Sequence, residues 1–123
     1  MANGYYKGNV KYDSRLGRNS GWIVGSFMQD SSRRTDLLEI KYWQYPIGPT
    51  DHLCKKSIGV IEVAFVLRGE TIAEIGDDRF ILKAGEYVVI QPDIPNNTVV
   101  EILSEAVGLT VKSPSITTAK ESC

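Results

Sequence analysis

Histidine and cysteine are nearly absent: one His and two Cys in 123 residues. Cys54 and Cys123 are too few for a disulfide framework, a zinc ribbon or an iron–sulfur site. They read as reduced thiols of a cytoplasmic protein. No apolar stretch reaches the 18 residues of a membrane span. The longest near-apolar run, Val60–Leu67, is broken by Glu62. The first twenty residues hold no apolar core of a secretory signal. A basic excess is missing too, with 14 Lys+Arg against 15 Asp+Glu. That balance argues against nucleic acid as a partner. No phosphate-binding loop, dinucleotide fingerprint or Gly-x-Ser-x-Gly elbow occurs.

Helix formers are also scarce. Ala, Leu and Met total 16 residues, whereas Val, Ile, Thr, Tyr, Phe and Trp total 41. Branched and aromatic side chains suit a pleated surface, and no window carries a 3.6-residue apolar period. At 42% hydrophobic and 24% charged, the chain can bury the core of one domain. Turn signals at 17–21, 29–34, 46–51, 76–78, 83–85 and 91–97 separate eight candidate strands. These are Trp22–Met28, Leu37–Tyr45, Gly59–Leu67, Thr71–Ile75, Arg79–Leu82, Tyr87–Ile90, Thr98–Leu103 and Val107–Val111. The expected fold class is all-β, a closed or sandwiched antiparallel sheet. Residues 1–20 read as an N-terminal arm or edge strand, 21–112 as the barrel and 113–123 as a frayed C-terminal tail. Charge is uneven: residues 1–56 carry a net +4 and residues 57–123 a net −5. The basic half either meets the acidic half, lines an anion site or is solvated surface.

The segment Ile61–Glu70 places a strand Glu seven residues before a turn glycine, Glu62 and Gly69. Leu82–Asn96 runs from turn glycine Gly85 through an apolar strand to a proline loop, Pro92 and Pro95. In order and spacing the two segments resemble the two motifs of the cupin superfamily, over residues 37–112. The resemblance implies a small β-barrel or double-stranded jelly roll, a homodimer and a ligand site in the barrel mouth. It also implies a metal held by three histidines and a Glu. Here the histidine positions fall on Lys56 and Ile58 (Lys55 and Ser57 in a longer register) and on Asn96, so only Glu62 remains. Asn is a poor ligand for zinc or iron and Lys is cationic. The expectation is no metal and no other cofactor. Metal-free cupins include epimerases with a His base and a Tyr acid, and no such pair is evident along this chain.

With Val60, Ala64 and Val66, Glu62 shares one strand face, where a carboxylate is costly unless paired or protonated. Three roles are open: a buried ion pair with Lys56, Arg68 or another base; acceptance of hydrogen bonds from Asn96 and a ligand; or general acid–base work. The candidate ligand-binding residues are Glu62, Asn96, Lys56, His52, Trp43 and Tyr45, with Phe65 and Tyr87 as further candidate walls. Arg33, Arg34, Lys41, Lys55 and Arg68 are cations able to meet a carboxylate or phosphate. The leading expectation is a metal-independent cupin that senses, carries or sequesters a small metabolite or signalling molecule in the barrel mouth, an anion being one candidate. The alternatives are a cupin isomerase, lyase or dioxygenase relying on Glu62, and a structural scaffold.

Overall fold

The computed structural model describes residues 4–15, 21–116 and 119–123. Its elements are a one-turn helix α1 (Val10–Asp13) and nine strands. They are β1 (Trp22–Val24), β2 (Glu39–Tyr45), β3 (Gly48–Pro49), β4 (Lys55–Ser57), β5 (Ile61–Ile75), β6 (Asp78–Lys83), β7 (Tyr87–Ile90), β8 (Asn96–Ser113) and β9 (Lys120–Ser122). All pair antiparallel in one curled sheet. The all-β expectation holds.

Two long strands organise it. β5 and β8 pair with each other from Ile61↔Ser113 to Ile75↔Asn96. The sequence suggested four short strands there. The ladder instead carries register shifts between Val66 and Thr71 and between Ile72 and Glu74, so each strand bends without ending. Gly69 sits at the bend with φ 84°, and a Cβ there would overlap the Glu105 carbonyl. Beyond the bend β5 exchanges one neighbour for another: β7 pairs Glu62–Phe65 and β6 pairs Glu70–Ile75. β1 is shorter than expected because the chain turns at Gly25, where the Met28 amide donates to the Gly25 carbonyl.

Cross-strand neighbours share a face, so the register sorts the side chains. One face carries the rows Glu39–Lys112–Glu62–Ile90, Lys41–Thr110–Ala64–Val88 and Trp43–Gly108–Val66. This is the inner face. The core cluster of Trp43, Val66, Leu82, Val99, Ile102 and Ala106 lies on this side. Burial of a side chain such as Val66 or Ile102 contributes about 1.5–3 kcal/mol. Gly108 has no side chain where the Trp43 indole passes over it. The outward face carries Ile40–Val111–Val63–Val89 and Tyr42–Leu109–Phe65–Tyr87, eight apolar side chains in two rows. Phe65 and Tyr87 therefore wall no inner cavity.

Two expectations about the cysteines and the C-terminus are corrected. Cys54 and Cys123 are joined in a disulfide across 69 residues. Residues 120–122 do not fray; β9 pairs with β4 through Lys55↔Ser122, Lys56↔Glu121 and Ser57↔Lys120. That pairing brings the terminal cysteine to Cys54, a proximity set by tertiary structure alone. Disulfides persist mainly in oxidising compartments, so two reduced thiols no longer argue for the cytoplasm. Among the described residues no helix is long and apolar enough to cross a membrane. Of the N-terminal arm, residues 1–3 and 16–20 lie outside the description. In its described part Asp13 accepts hydrogen bonds from the Tyr6 hydroxyl at 3.1 Å and the Asn9 amide at 3.2 Å.

Candidate ligand site in the barrel mouth

Alternation along β2 sends Lys41, Trp43 and Tyr45 inward, and β8 adds Thr110 and Lys112. β5 contributes Glu62, β4 Lys55 and β9 Lys120. These side chains border a cavity of about 510 Å³, open at the barrel mouth. A smaller cavity of about 230 Å³ adjoins it and shares Trp22, Lys112 and Lys120. The larger volume suits a small organic molecule.

Glu62 is 3% exposed, and Lys55 Nζ donates to its Oε1 at 2.7 Å. Lys112 Nζ lies 3.8 Å from the same oxygen. Lys112 is itself buried, and among the described residues its ammonium donates no hydrogen bond. On the other side of Lys112, Glu39 is engaged by the Ser115 hydroxyl at 2.8 Å. Lys41, Lys55 and Lys112 thus line the cavity with one buried carboxylate, Glu62, which Lys55 and Lys112 flank, while exposed Lys120, Asp51 and Glu121 complete its charged lining. Burial, then repulsion from Lys55, lowers the Lys112 pKa to about 8, against the pull of Glu62 and Glu39. Burial and the charges of Lys120 and Lys55 lower Lys41 as well. Its ammonium lies over the Trp22 ring, 5.7 Å from the centroid.

Next to Lys41 along β2 is an aromatic wall. Trp43 and Tyr45 stack with centroids 5.6 Å apart. Trp43 Nε1 donates to Thr110 Oγ1 at 3.1 Å, which fixes the indole. The Tyr45 hydroxyl and His52 Nε2 are 2.7 Å apart, with the direction of donation set by the ring tautomer. Burial raises the Tyr45 pKa, while burial and then Lys41, Lys120 and Lys55 lower that of His52. Both are therefore neutral at pH 7. A hydrogen-bonded His–Tyr contact thus lies in the mouth, a proximity not legible along the chain. It was hidden because the chain must double back through β3 to bring positions 45 and 52 together.

The sequence-chosen residues divide as follows. Glu62, His52, Trp43 and Tyr45 all line the cavity. Asn96 is buried behind it: its Oδ1 accepts from Lys55 at 3.4 Å and its Nδ2 donates to the Ile94 carbonyl at 3.0 Å. Lys56 is outside the lining, because strand alternation in β4 turns Lys55 inward instead. Of the other cations, Lys41 and Lys55 line the cavity and three arginines do not. Arg68 pairs with Glu105 at 2.8 Å, Arg33 with Asp30 at 3.5 Å, and Arg34 donates to the Met28 and Gln29 carbonyls. Sequence reasoning missed Lys112 and Lys120. Lys112 left one signal, a lysine ending the apolar strand Val107–Val111 in phase with Thr110.

The arrangement resolves into a known architecture. An uncharacterized conserved protein with a double-stranded beta-helix domain from Klebsiella pneumoniae subsp. pneumoniae superposes with a TM-score of 0.67, at 16% identity over 94% of each chain. The chain has the cupin fold. A cupin protein from Bacteroides fragilis gives a TM-score of 0.58 at 18% identity, over 74% of this chain and 75% of that one. Pac13 of Streptomyces, a nucleoside dehydratase, gives 0.58 at 11% identity, over 71% and 68%. No protein-family model and no curated protein matches the sequence.

Many cupins hold a metal in this mouth, and the side chains here do not fit one. Lys55 already occupies the approach to Glu62. Among the described residues no group of three His, Cys, Asp or Glu is placed to ligate an ion. The one buried carboxylate, Glu62, is already paired with Lys55, and four lysines in the lining disfavour a divalent cation and suit an anion.

Proposed function

We propose that this protein binds a small anionic organic molecule in the barrel mouth without a metal ion. The observation that carries the reading is the excess of lysines over buried carboxylates in the cavity lining. Lys41, Lys55 and Lys112 come from three strands, whereas Glu62 is the one buried carboxylate of the lining, Asp51 and Glu121 being exposed. Such charge is costly in a desolvated cavity, and a bound carboxylate or phosphate relieves the repulsion. Trp43 and Tyr45 offer a flat apolar wall to the rest of the ligand. Glu62 acts as the counter-ion that keeps the lysines folded inward. The role fits sensing, carrying or sequestering a metabolite.

The test is a thermal-shift panel of carboxylates, phosphomonoesters and uncharged analogues at low salt. Anionic members should raise the melting temperature, because a ligand bound only to the native state stabilises it. The effect should weaken with salt and in a Lys41→Met/Lys120→Met variant. Equal response to charged and uncharged analogues, or none, refutes the reading.

The same protein is proposed to be a homodimer. Its support is the outward face, where Tyr42, Leu109, Phe65 and Tyr87 form one row and Ile40, Val111, Val63 and Val89 the next. A broad apolar sheet face suits self-association about a two-fold axis. Light scattering should give near twice the chain's 13.6 kDa, and Phe65→Glu should halve it. A wild-type monomer refutes the dimer and leaves the ligand site untouched.

A further inference from the structure

We infer that Lys112 is a carbonyl-reactive amine, which makes the ligand class an aldehyde or ketone that also bears a carboxylate or phosphate. The inference rests on the anion-binding reading and assigns chemistry to one of its lysines.

Three placements support it. Lys112 is buried, yet it lines both cavities, so its amine stands at their junction. Among the described residues it donates no hydrogen bond, whereas Lys55 is held by Glu62 and Asn96. The Lys112 nitrogen is thus a buried amine whose one ion-pair contact among the described residues is the 3.8 Å approach to Glu62. Third, Glu62 Oε1 lies 3.8 Å from Nζ, longer than a hydrogen bond, so the proton passes between them after a side-chain shift or through one water. Lys41 and Lys120 remain to hold the ligand's anionic group. The lowered pKa of Lys112, about 8, supplies a usable fraction of free amine at neutral pH, as imine-forming lysines require.

The step balances without an oxidant or reductant. The neutral amine adds to the carbonyl carbon, and the C–N bond forms as the carbonyl π pair moves to oxygen. Nitrogen loses a proton to Glu62 and oxygen gains one, giving a carbinolamine. Loss of that hydroxyl as water, with the proton returned by Glu62, leaves the protonated imine. With the proton that the oxygen takes from solvent, a carbonyl compound and a neutral amine become a protonated imine and one water.

The test uses the full chain with pyruvate, 2-oxoglutarate and glyceraldehyde 3-phosphate, trapped with cyanoborohydride and read by intact and peptide mass spectrometry. One adduct per chain, on Lys112, is expected with at least one probe. It should vanish in Lys112→Arg, persist in Lys83→Arg and fall with added inorganic phosphate. Lys112→Met provides a second variant should the arginine not fold. The groups that face Lys112 are Glu39 on β2, Lys55 on β4, Glu62 on β5 and Lys120 on β9. With its pKa near 8, trapping should rise about tenfold from pH 7 to 9 and level off, against about a hundredfold without levelling for an ordinary lysine. Adducts spread over surface lysines, or none while the probes still raise the melting temperature, overturn the inference and leave anion binding standing. If neither these probes nor any non-carbonyl anion is bound, both readings fall together.

Discussion

Replacing Lys112 by methionine should stabilise the protein at neutral pH, and the gain should disappear in alkali. Methionine matches the length of the lysine stem and suits a half-apolar site. The gap between the ordinary lysine value of 10.5 and about 8 corresponds to about 3 kcal/mol against the charged form. That figure already contains the attraction of Glu62 and Glu39, since both oppose the shift. At pH 7 native and unfolded chains both carry the proton, and the native state bears the cost. Between pH 8 and 10.5 the unfolded chain holds a proton that the native chain has lost. Wild-type stability therefore rises with pH across that window, by up to about 1.4 kcal/mol per pH unit from this group. Above 10.5 neither state is charged and the contribution is complete. Lys112→Met should thus exceed wild type by up to about 3 kcal/mol at pH 7 and match it near pH 10.5. Urea unfolding of both proteins at matched pH values measures the difference, in which all other titrating groups cancel. A gap that does not change with pH, or a variant less stable than wild type at pH 7, refutes the electrostatic account of the site.

Other consequences follow from the same geometry. Opening the Cys54–Cys123 bond, by Cys123→Ser or by a dithiol, should cost up to about 4 kcal/mol from loop entropy alone, given the 69-residue separation. Urea midpoints with and without reductant check it, and anion affinity should fall as β9 releases Lys120; an unchanged affinity places Lys120 outside the site. Gly108→Ala should destabilise by about 1–3 kcal/mol, because its Cβ overlaps the Trp43 indole and the Phe65 carbonyl. Near-ultraviolet dichroism should show the indole displaced, and a native spectrum with an unchanged melt contradicts the packing. His52 titrates below 6.5 in the native state, so its contribution to stability is present above pH 6.5 and is lost as pH falls through the native value. A bound anion offsets the lysine charges that hold it down, so its NMR titration midpoint should move up on binding. A midpoint that stays put argues against an anion beside Lys41 and Lys55.

The sequence made the framework legible where two-residue alternation operates. Val60, Glu62, Ala64 and Val66 share a face as expected, and Lys41, Trp43 and Tyr45 follow the same rule on β2. It did not show that 59–67 and 71–75 are one strand, because a register shift at Gly69 looks like a turn in sequence. Motif spacing points to Lys56 before Lys55, but spacing does not carry phase across the turn at Ile58–Val60. Hydrogen bonds in β4 and β9 set that phase, and they also bring Lys120 and Cys123 to the mouth from the far end of the chain. Lys112 gains its meaning only from the neighbours that pairing supplies, Glu39 on one side and Glu62 on the other. Its pKa depends on distances that no local pattern encodes.

The most direct measurement is calorimetric titration of the best anion from the panel into wild type and Lys41→Met/Lys120→Met. The account predicts one site per chain in wild type, an affinity that weakens steadily with added salt, and at least a tenfold loss in the variant. Equal affinities in the two proteins, or binding indifferent to salt, would contradict a mouth built to receive negative charge.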